Sequence, residues 1–187
     1  RNNRFRLLYL SRLTEHAVYK GLPRAMELVG ELGEGYELLV AGEGERKLDF
    51  VSLAAECGLG ERVIFAGSIH EDDMPHIYRS ADAFFLVSEV GFGKGEGLPL
   101  TPIEAMACGV PVLVGNQDGS REIIDAGGGI CTAPSETARQ AQYLRALAGD
   151  PDLHRRERVS ARLRAERAFG YERFERETHQ LLRAISR

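Results

Sequence analysis

The sequence predicts an α/β protein: a doubly wound parallel sheet, Rossmann-like, with packing helices added at its C-terminal end. Three observations predict it. Short apolar runs alternate with stretches of helical periodicity along most of the 187 residues. Several of those runs are apolar at successive positions, as in Phe84-Phe85-Leu86-Val87 or Val112-Leu113-Val114, which fits strands buried on both faces. Three helical stretches then succeed one another to the C-terminus.

Phe5 to Leu10 reads as a first strand, and Gly21 to Leu32 carries apolar residues at helical spacing (Leu22, Ala25, Met26, Val29, Leu32). Tyr36 to Ala41 is a second strand, closed by Gly42-Glu43-Gly44. Leu48 to Cys57 is helical and stops at Gly58 and Gly60. Arg62 to Ala66 is a third strand. Asp73 caps a short helix to Ser80 with Pro75 early in it. Ala83 to Ser88 is a fourth strand, followed by a glycine-rich loop from Gly91 to Gly97. Thr101 to Cys108 is helical, Val110 to Val114 a fifth strand, Ser120 to Ala126 a short helix and Gly129 to Thr132 a sixth strand. Ser135 to Leu147, Pro151 to Ala168 and Tyr171 to Ile185 are the closing helices. Gly149-Asp150-Pro151 is the clearest break, but the segment after it reads as packing helices, so residues 1–187 are expected to form one domain.

Composition excludes several classes. Hydrophobic residues at 43% and charged residues at 28% are ordinary for a globular chain. No apolar run approaches the ~20 residues of a membrane-spanning helix. A net charge of −4 argues against a nucleic-acid partner, which usually leaves a basic footprint. Cys57, Cys108 and Cys131 lack metal-ligand spacing and read as free thiols of a reducing cytosol. Arg1-Asn2-Asn3-Arg4 is not an initiator sequence and reads as a cut inside a longer protein.

In a doubly wound sheet, ligands bind beyond the carboxyl ends of the strands. The loops after strands one, three, four and five are therefore the candidates. Four glycines in Gly91 to Gly97 let backbone N–H groups approach an anion, and the loop feeds the N-terminus of the next helix. That combination suits a diphosphate. No Lys-Ser or Lys-Thr follows the glycines, so this is not a Walker loop, and no Gly-x-Gly-x-x-Gly follows the first strand. Arg12 and Lys20 bracket the loop after strand one, where two cations can neutralise a diphosphate or simply face solvent. Glu96 and Glu104 are an acidic pair eight positions apart. Thr101-Pro102-Ile103-Glu104 also reads as a capping box, which gives Glu104 a structural role beside a possible hold on a ribose diol. Glu96 has no such structural reading and is suited to hold sugar hydroxyls. His16 and His70 read as exposed loop residues, and the arginines between Arg155 and Arg167 as a solvated helix face.

These residues resemble a known family along nearly the whole chain. Leu10-Ser11-Arg12-Leu13 through Lys20-Gly21, Val40-Ala41-Gly42-Glu43-Gly44, Val63-Ile64-Phe65-Ala66-Gly67, Ser80-Ala81-Asp82, the Glu96-to-Glu104 pair running on through Ala105-Met106-Ala107-Cys108-Gly109-Val110-Pro111-Val112, and Asp118-Gly119-Ser120-Arg121-Glu122-Ile123-Ile124 occur in the family's order. The chain resembles the C-terminal, donor-binding domain of the family 4 retaining glycosyltransferases (glycosyl transferases group 1), whose GT-B fold has two Rossmann-like halves facing a cleft. The resemblance implies that Arg12 and Lys20 bind the donor diphosphate and that Glu104 holds the ribose. It implies that Ser68 and Ile69 border the base, and that the backbone around Leu98, Leu100 and Thr101 holds phosphates. Glu96 becomes the catalytic residue that contacts the donor sugar. The implied reaction moves a sugar from a nucleoside diphosphate to an acceptor hydroxyl with retention, with no metal and no cofactor beyond the donor itself. An acceptor glycan or lipid would be met by an N-terminal half absent here, so the isolated chain would bind donor but transfer nothing. A cytoplasmic setting is implied, with membrane contact through that other half, in polysaccharide or glycoconjugate synthesis.

Two departures from the family pattern stand out. The Arg12 to Lys20 spacing is longer than the commonest one, and Gly97-Leu98-Pro99 replaces Gly-Phe-Gly, so Pro99 has no N–H to offer a phosphate. A GT-B sugar-nucleotide epimerase, a nicotinamide-dependent oxidoreductase domain and a non-catalytic nucleotide-binding module are the competing classes. The oxidoreductase lacks its glycine fingerprint. The acidic pair with Arg12 and Lys20 upstream favours transfer over the other two.

Overall fold

The computed structural model describes residues 3–89, 97–124 and 127–185. Six parallel strands form one sheet in the order β3-β2-β1-β4-β5-β6: β1 (Phe5–Leu10), β2 (Tyr36–Ala41), β3 (Val63–Gly67), β4 (Ala83–Leu86), β5 (Val112–Gly115) and β6 (Gly129–Thr132). The chain winds outward from β1 to β3, returns across the middle, and winds outward again from β4 to β6. This is the Rossmann strand order, with its reversal between β1 and β4.

Side chains alternate across the sheet, and each face builds its own core. On one face Leu7 and Tyr9 of β1, Leu38 and Val40 of β2, and Phe85 of β4 pack with α2 (Leu22–Leu32), α3 (Lys47–Glu56) and α6 (Thr137–Gly149). On the other, Leu8, Leu39, Phe84, Leu86 and Val114 pack with α4 (Met74–Arg79), α5 (Leu100–Ala107) and α7 (Pro151–Phe169). The doubly apolar runs of the sequence are these central strands: β4 and β5 are buried at every position. α8 (Tyr171–Ile185) follows α7 and buries none of its side chains.

The ends of the elements correct the sequence reading in places. A one-turn helix, α1 (Glu15–Tyr19), occupies what reads as a loop; Thr14 caps it by accepting from the His16 N–H. The fifth strand begins at Val112, because Pro111 has no N–H for the ladder. The helix expected from Ser120 is a single 3-10 turn, Gly119–Glu122, capped by Asp118, and residues 125–126 of that expectation lie outside the described residues. Helix α5 starts at Leu100 with Pro99 at its cap and no side-chain capping bond. Thr101 therefore sits inside the first turn and the expected Thr101–Glu104 capping box does not form. Asp73 stands at the cap of α4 but its side chain makes no capping bond.

The arginines of α7 are not all solvated. Arg158 donates to the Ala81 carbonyl at 3.3 Å. Arg162 donates to the Ala107 carbonyl at the end of α5, and Arg164 to the carbonyls of Ile123 and Glu122. Carbonyls at a helix end lack intrahelical partners, so these guanidinium groups staple α7 across the C-terminal ends of its neighbours. Buried Ala161 and Ala165 allow the close approach.

Candidate functional site

A cavity of about 570 Å³ opens at the carboxyl edge of the sheet, at the reversal between β1 and β4. Leu10, Ser11 and Arg12 from the end of β1 and Leu86 from the end of β4 line it. Gly42 and Glu43 after β2, Ser68 and Ile69 after β3, and Met74 of α4 form a second wall. Lys20, Pro99, Leu100 and Thr101 close it.

Glycines make this crowding possible. A Cβ on Gly42, whose φ is +126°, would collide with the Ser11 carbonyl oxygen. The tight seam is held by backbone bonds: Ser11 N–H donates to the Ala41 carbonyl at 3.2 Å and Leu13 N–H to the Glu43 carbonyl at 2.9 Å. Gly21, at φ +88°, lies against the Val87 carbonyl after β4. No other residue fits there in that conformation, so the Lys20-Gly21 step brings Lys20 to the cavity. Helix α1 fills the stretch between Arg12 and Lys20, with Lys20 as its C-cap.

The cavity lining combines charged and polar groups with apolar side chains. Arg12 and Lys20 bring two positive charges. The first turn of α5 lines the same cavity, and its N–H groups have no intrahelical partner, at the positive end of the helix dipole. Pro102 in that turn and Pro99 at the cap have no N–H, so Leu100 and Thr101 are the donors here. Ile69 and Met74 form the apolar wall and pack on the sheet core beneath. Glu43 is exposed and pairs with Lys47 at 2.6 Å.

Of the residues singled out in the sequence, the structure brings together Arg12, Lys20, Ser68, Ile69, Leu100 and Thr101. Leu98 is exposed and its neighbour Pro99 lines the cavity instead. Glu104 lies one turn along α5 from Thr101 and is not among the residues that line the cavity. Its carboxylate accepts a 2.6 Å hydrogen bond from the Tyr78 hydroxyl. Glu96 and residues 91–95 of the glycine-rich loop lie outside the described residues. The loop after β5 supplies no described lining residue, although it reads as a candidate; the loop after β2 does, and Gly42-Glu43-Gly44 at a strand end is its signal in the sequence.

The other chemically capable groups have local roles. His70 caps a 3-10 turn, accepting from the Asp72 N–H, and His16 stacks near Tyr19 with ring centroids 5.3 Å apart. Burial raises the thiols of Cys108 and Cys131, which keeps them protonated; all three cysteines are free. Among the described residues no cluster of His, Cys, Asp and Glu is arranged to hold a metal. No helix among them is long and apolar enough to cross a membrane.

Known proteins share this architecture. Anabaena Alr3699/HepE, solved in complex with UDP, superposes with a TM-score of 0.84 at 22% identity, over 97% of this chain and 49% of that one. A glycosyltransferase from Rickettsia africae gives 0.80 at 22% identity over the whole chain and 49% of its own. In sequence, the GDP-mannose-dependent alpha-(1-6)-phosphatidylinositol monomannoside mannosyltransferase of Mycobacterium tuberculosis is 32% identical over 117 residues, 62% of this chain and 30% of its own length. The 2-deoxystreptamine glucosyltransferase of Streptomyces kanamyceticus is 29% identical over 154 residues, 80% of this chain and 37% of its own. The chain thus spans about a third of these curated relatives and about half of the solved ones. The family model described as glycosyl transferases group 1 matches residues 1–164. A nucleotide-sized cavity at the strand reversal and a match over most of the chain lead to one family: the chain belongs to the glycosyl transferases group 1.

Proposed function

We propose that residues 1–187 are the C-terminal, nucleotide-sugar-binding half of a retaining, metal-independent glycosyltransferase. The observation that carries this reading is a cavity lined by two cations, the first turn of a helix and the apolar side chains of Ile69 and Met74. A nucleoside diphosphate calls for both kinds of lining, cations and N–H groups for the phosphates and apolar surface for the base.

In this reading Arg12 and Lys20 neutralise the diphosphate, joined by the backbone N–H groups of Leu98, Leu100 and Thr101. Ser68 and Ile69 border the base, and Glu104 accepts from the ribose hydroxyls. Glu96 contacts the donor sugar as the catalytic residue. The bond between the anomeric carbon and the diphosphate oxygen breaks as the acceptor oxygen bonds to that carbon on the same face, and the acceptor proton leaves with the diphosphate. Charge builds on the leaving oxygen, where fixed cations and N–H dipoles stabilise it without a metal or other cofactor. The acceptor, a glycan or lipid, is met by a second half of the protein, so this chain alone binds donor and transfers nothing. The UDP complex of the Anabaena relative and the GDP-mannose dependence of the mycobacterial one support a nucleotide-sugar donor. Synthesis of surface polysaccharide or glycoconjugate at the cytoplasmic face is the setting this implies.

Calorimetric titration with nucleoside diphosphates in EDTA tests the metal independence: binding is expected unchanged, and a strict need for a divalent cation contradicts it. Retention is tested by NMR of the linkage made by the full-length enzyme. An inverted anomeric centre contradicts it.

A further inference from the structure

Tyr78 is 2% exposed and lies in the core between α4 and β4, its ring tilted against Phe84 with centroids 6.0 Å apart. A buried tyrosine hydroxyl needs a partner. Here it reaches out of the core to a single carboxylate, donating to Glu104 Oε2 at 2.6 Å. Glu104 is otherwise an exposed side chain with three torsions, free to leave any one orientation. The ring on its side is locked by packing. Burial, and then the bond to Glu104, raise the Tyr78 phenol far above its ordinary value. The hydroxyl therefore stays a donor to Glu104.

We propose that Tyr78 is a positioning residue for the donor's ribose, acting through Glu104: the phenol occupies one carboxylate oxygen and holds the group in the orientation that accepts from the ribose hydroxyls. This rests on the reading of Glu104 as the ribose-binding group. An ionised carboxylate has about four acceptor sites. With one used by Tyr78, enough remain for both hydroxyls of a ribose diol. The bond thus sets orientation without exhausting the acceptor.

The test compares ribose with 2′-deoxyribose. The 187-residue chain is titrated with UDP and GDP and with dUDP and dGDP, as wild type, Tyr78→Phe, Glu104→Ala and the double variant, with melting temperature as a control on folding. Glu104→Ala is expected to abolish the preference for ribose. Tyr78→Phe is expected to narrow that preference about three- to tenfold, and to have no further effect in the double variant. A merely structural tyrosine would change the melting temperature and leave the ribose preference intact. That outcome, with Glu104→Ala still abolishing the preference, overturns the role of Tyr78 and spares that of Glu104. An unchanged preference in Glu104→Ala overturns both. Should Tyr78→Phe fail to fold, the wild type labelled with carbon-13 at the tyrosine ring answers the same question by NMR. The Tyr78 signal is expected to move with the ribonucleotide and not with the deoxyribonucleotide, and a signal that ignores both overturns the proposal.

Discussion

In the proposed donor site Arg12 and Lys20 would do the same electrostatic work from different mountings. Arg12 is exposed at the end of β1, while Lys20 is half-buried and held by the turn into Gly21. A cation bonded to a phosphate contributes about 1.5–3 kcal/mol, so Arg12→Ala is expected to weaken nucleoside diphosphate binding about ten- to hundredfold. The corresponding nucleoside should bind unchanged, since it has no diphosphate; equal losses for both in calorimetry would place Arg12 elsewhere than at the phosphates. Both cations were legible in the sequence, because a strand-end loop is a ligand edge whatever the rest of the fold. Glu104 was singled out by its resemblance to the family pair, but its hydrogen bond to Tyr78 was not legible. The sequence offered the local Thr101 cap, whereas the helix is capped at Pro99, two residues earlier, and Glu104 turns to Tyr78, 26 positions away. Long-range partners of this kind leave no local spacing to read.

At the scale of elements, the site depends on loops that touch backbone to backbone. Gly42→Ala would place a methyl group against the Ser11 carbonyl at a φ of +126°. The expected cost is about 3 kcal/mol or more, read as a lowered denaturation midpoint; a variant as stable as wild type would refute the close seam. Helix α7, which clamps the ends of α5 and the loop after β5, is itself capped by Asp150. That carboxylate accepts from the N–H groups of Leu153 and Asp152, and chiefly the bond to Leu153 holds its pKa below the ordinary value. A depressed carboxyl pKa adds stability above the unfolded value and loses it as pH falls through the folded one. Asp150→Ala should therefore melt lower than wild type at neutral pH, with the gap closing in acid below both values. A gap that stays constant with pH would contradict the cap. The strands, α2 and α7 were legible from periodicity and turn chemistry. The one-turn α1 was not, because five residues carry too little pattern to separate from a loop.

For the whole molecule, the strand order decides where a ligand goes. The reversal between β1 and β4 leaves a crevice at the carboxyl edge, and both the cavity and the cations stand there. Alternating runs made the parallel sheet legible in advance. The order of its strands came from the three-dimensional structure, since periodicity alone does not number neighbours. The Arg6–Glu37 pair, at 2.6 Å, ties β1 to β2 near the amino edge, away from the cavity. The central claim is that the carboxyl edge holds a nucleoside diphosphate. Calorimetric titration of the chain with UDP, GDP and ADP, repeated on Arg12→Ala and Glu104→Ala, tests it most directly. The account predicts binding of one nucleotide at micromolar to millimolar affinity, about −4 to −8 kcal/mol, weakened in both variants. Binding that neither substitution weakens, or no binding of any of the three, would contradict it.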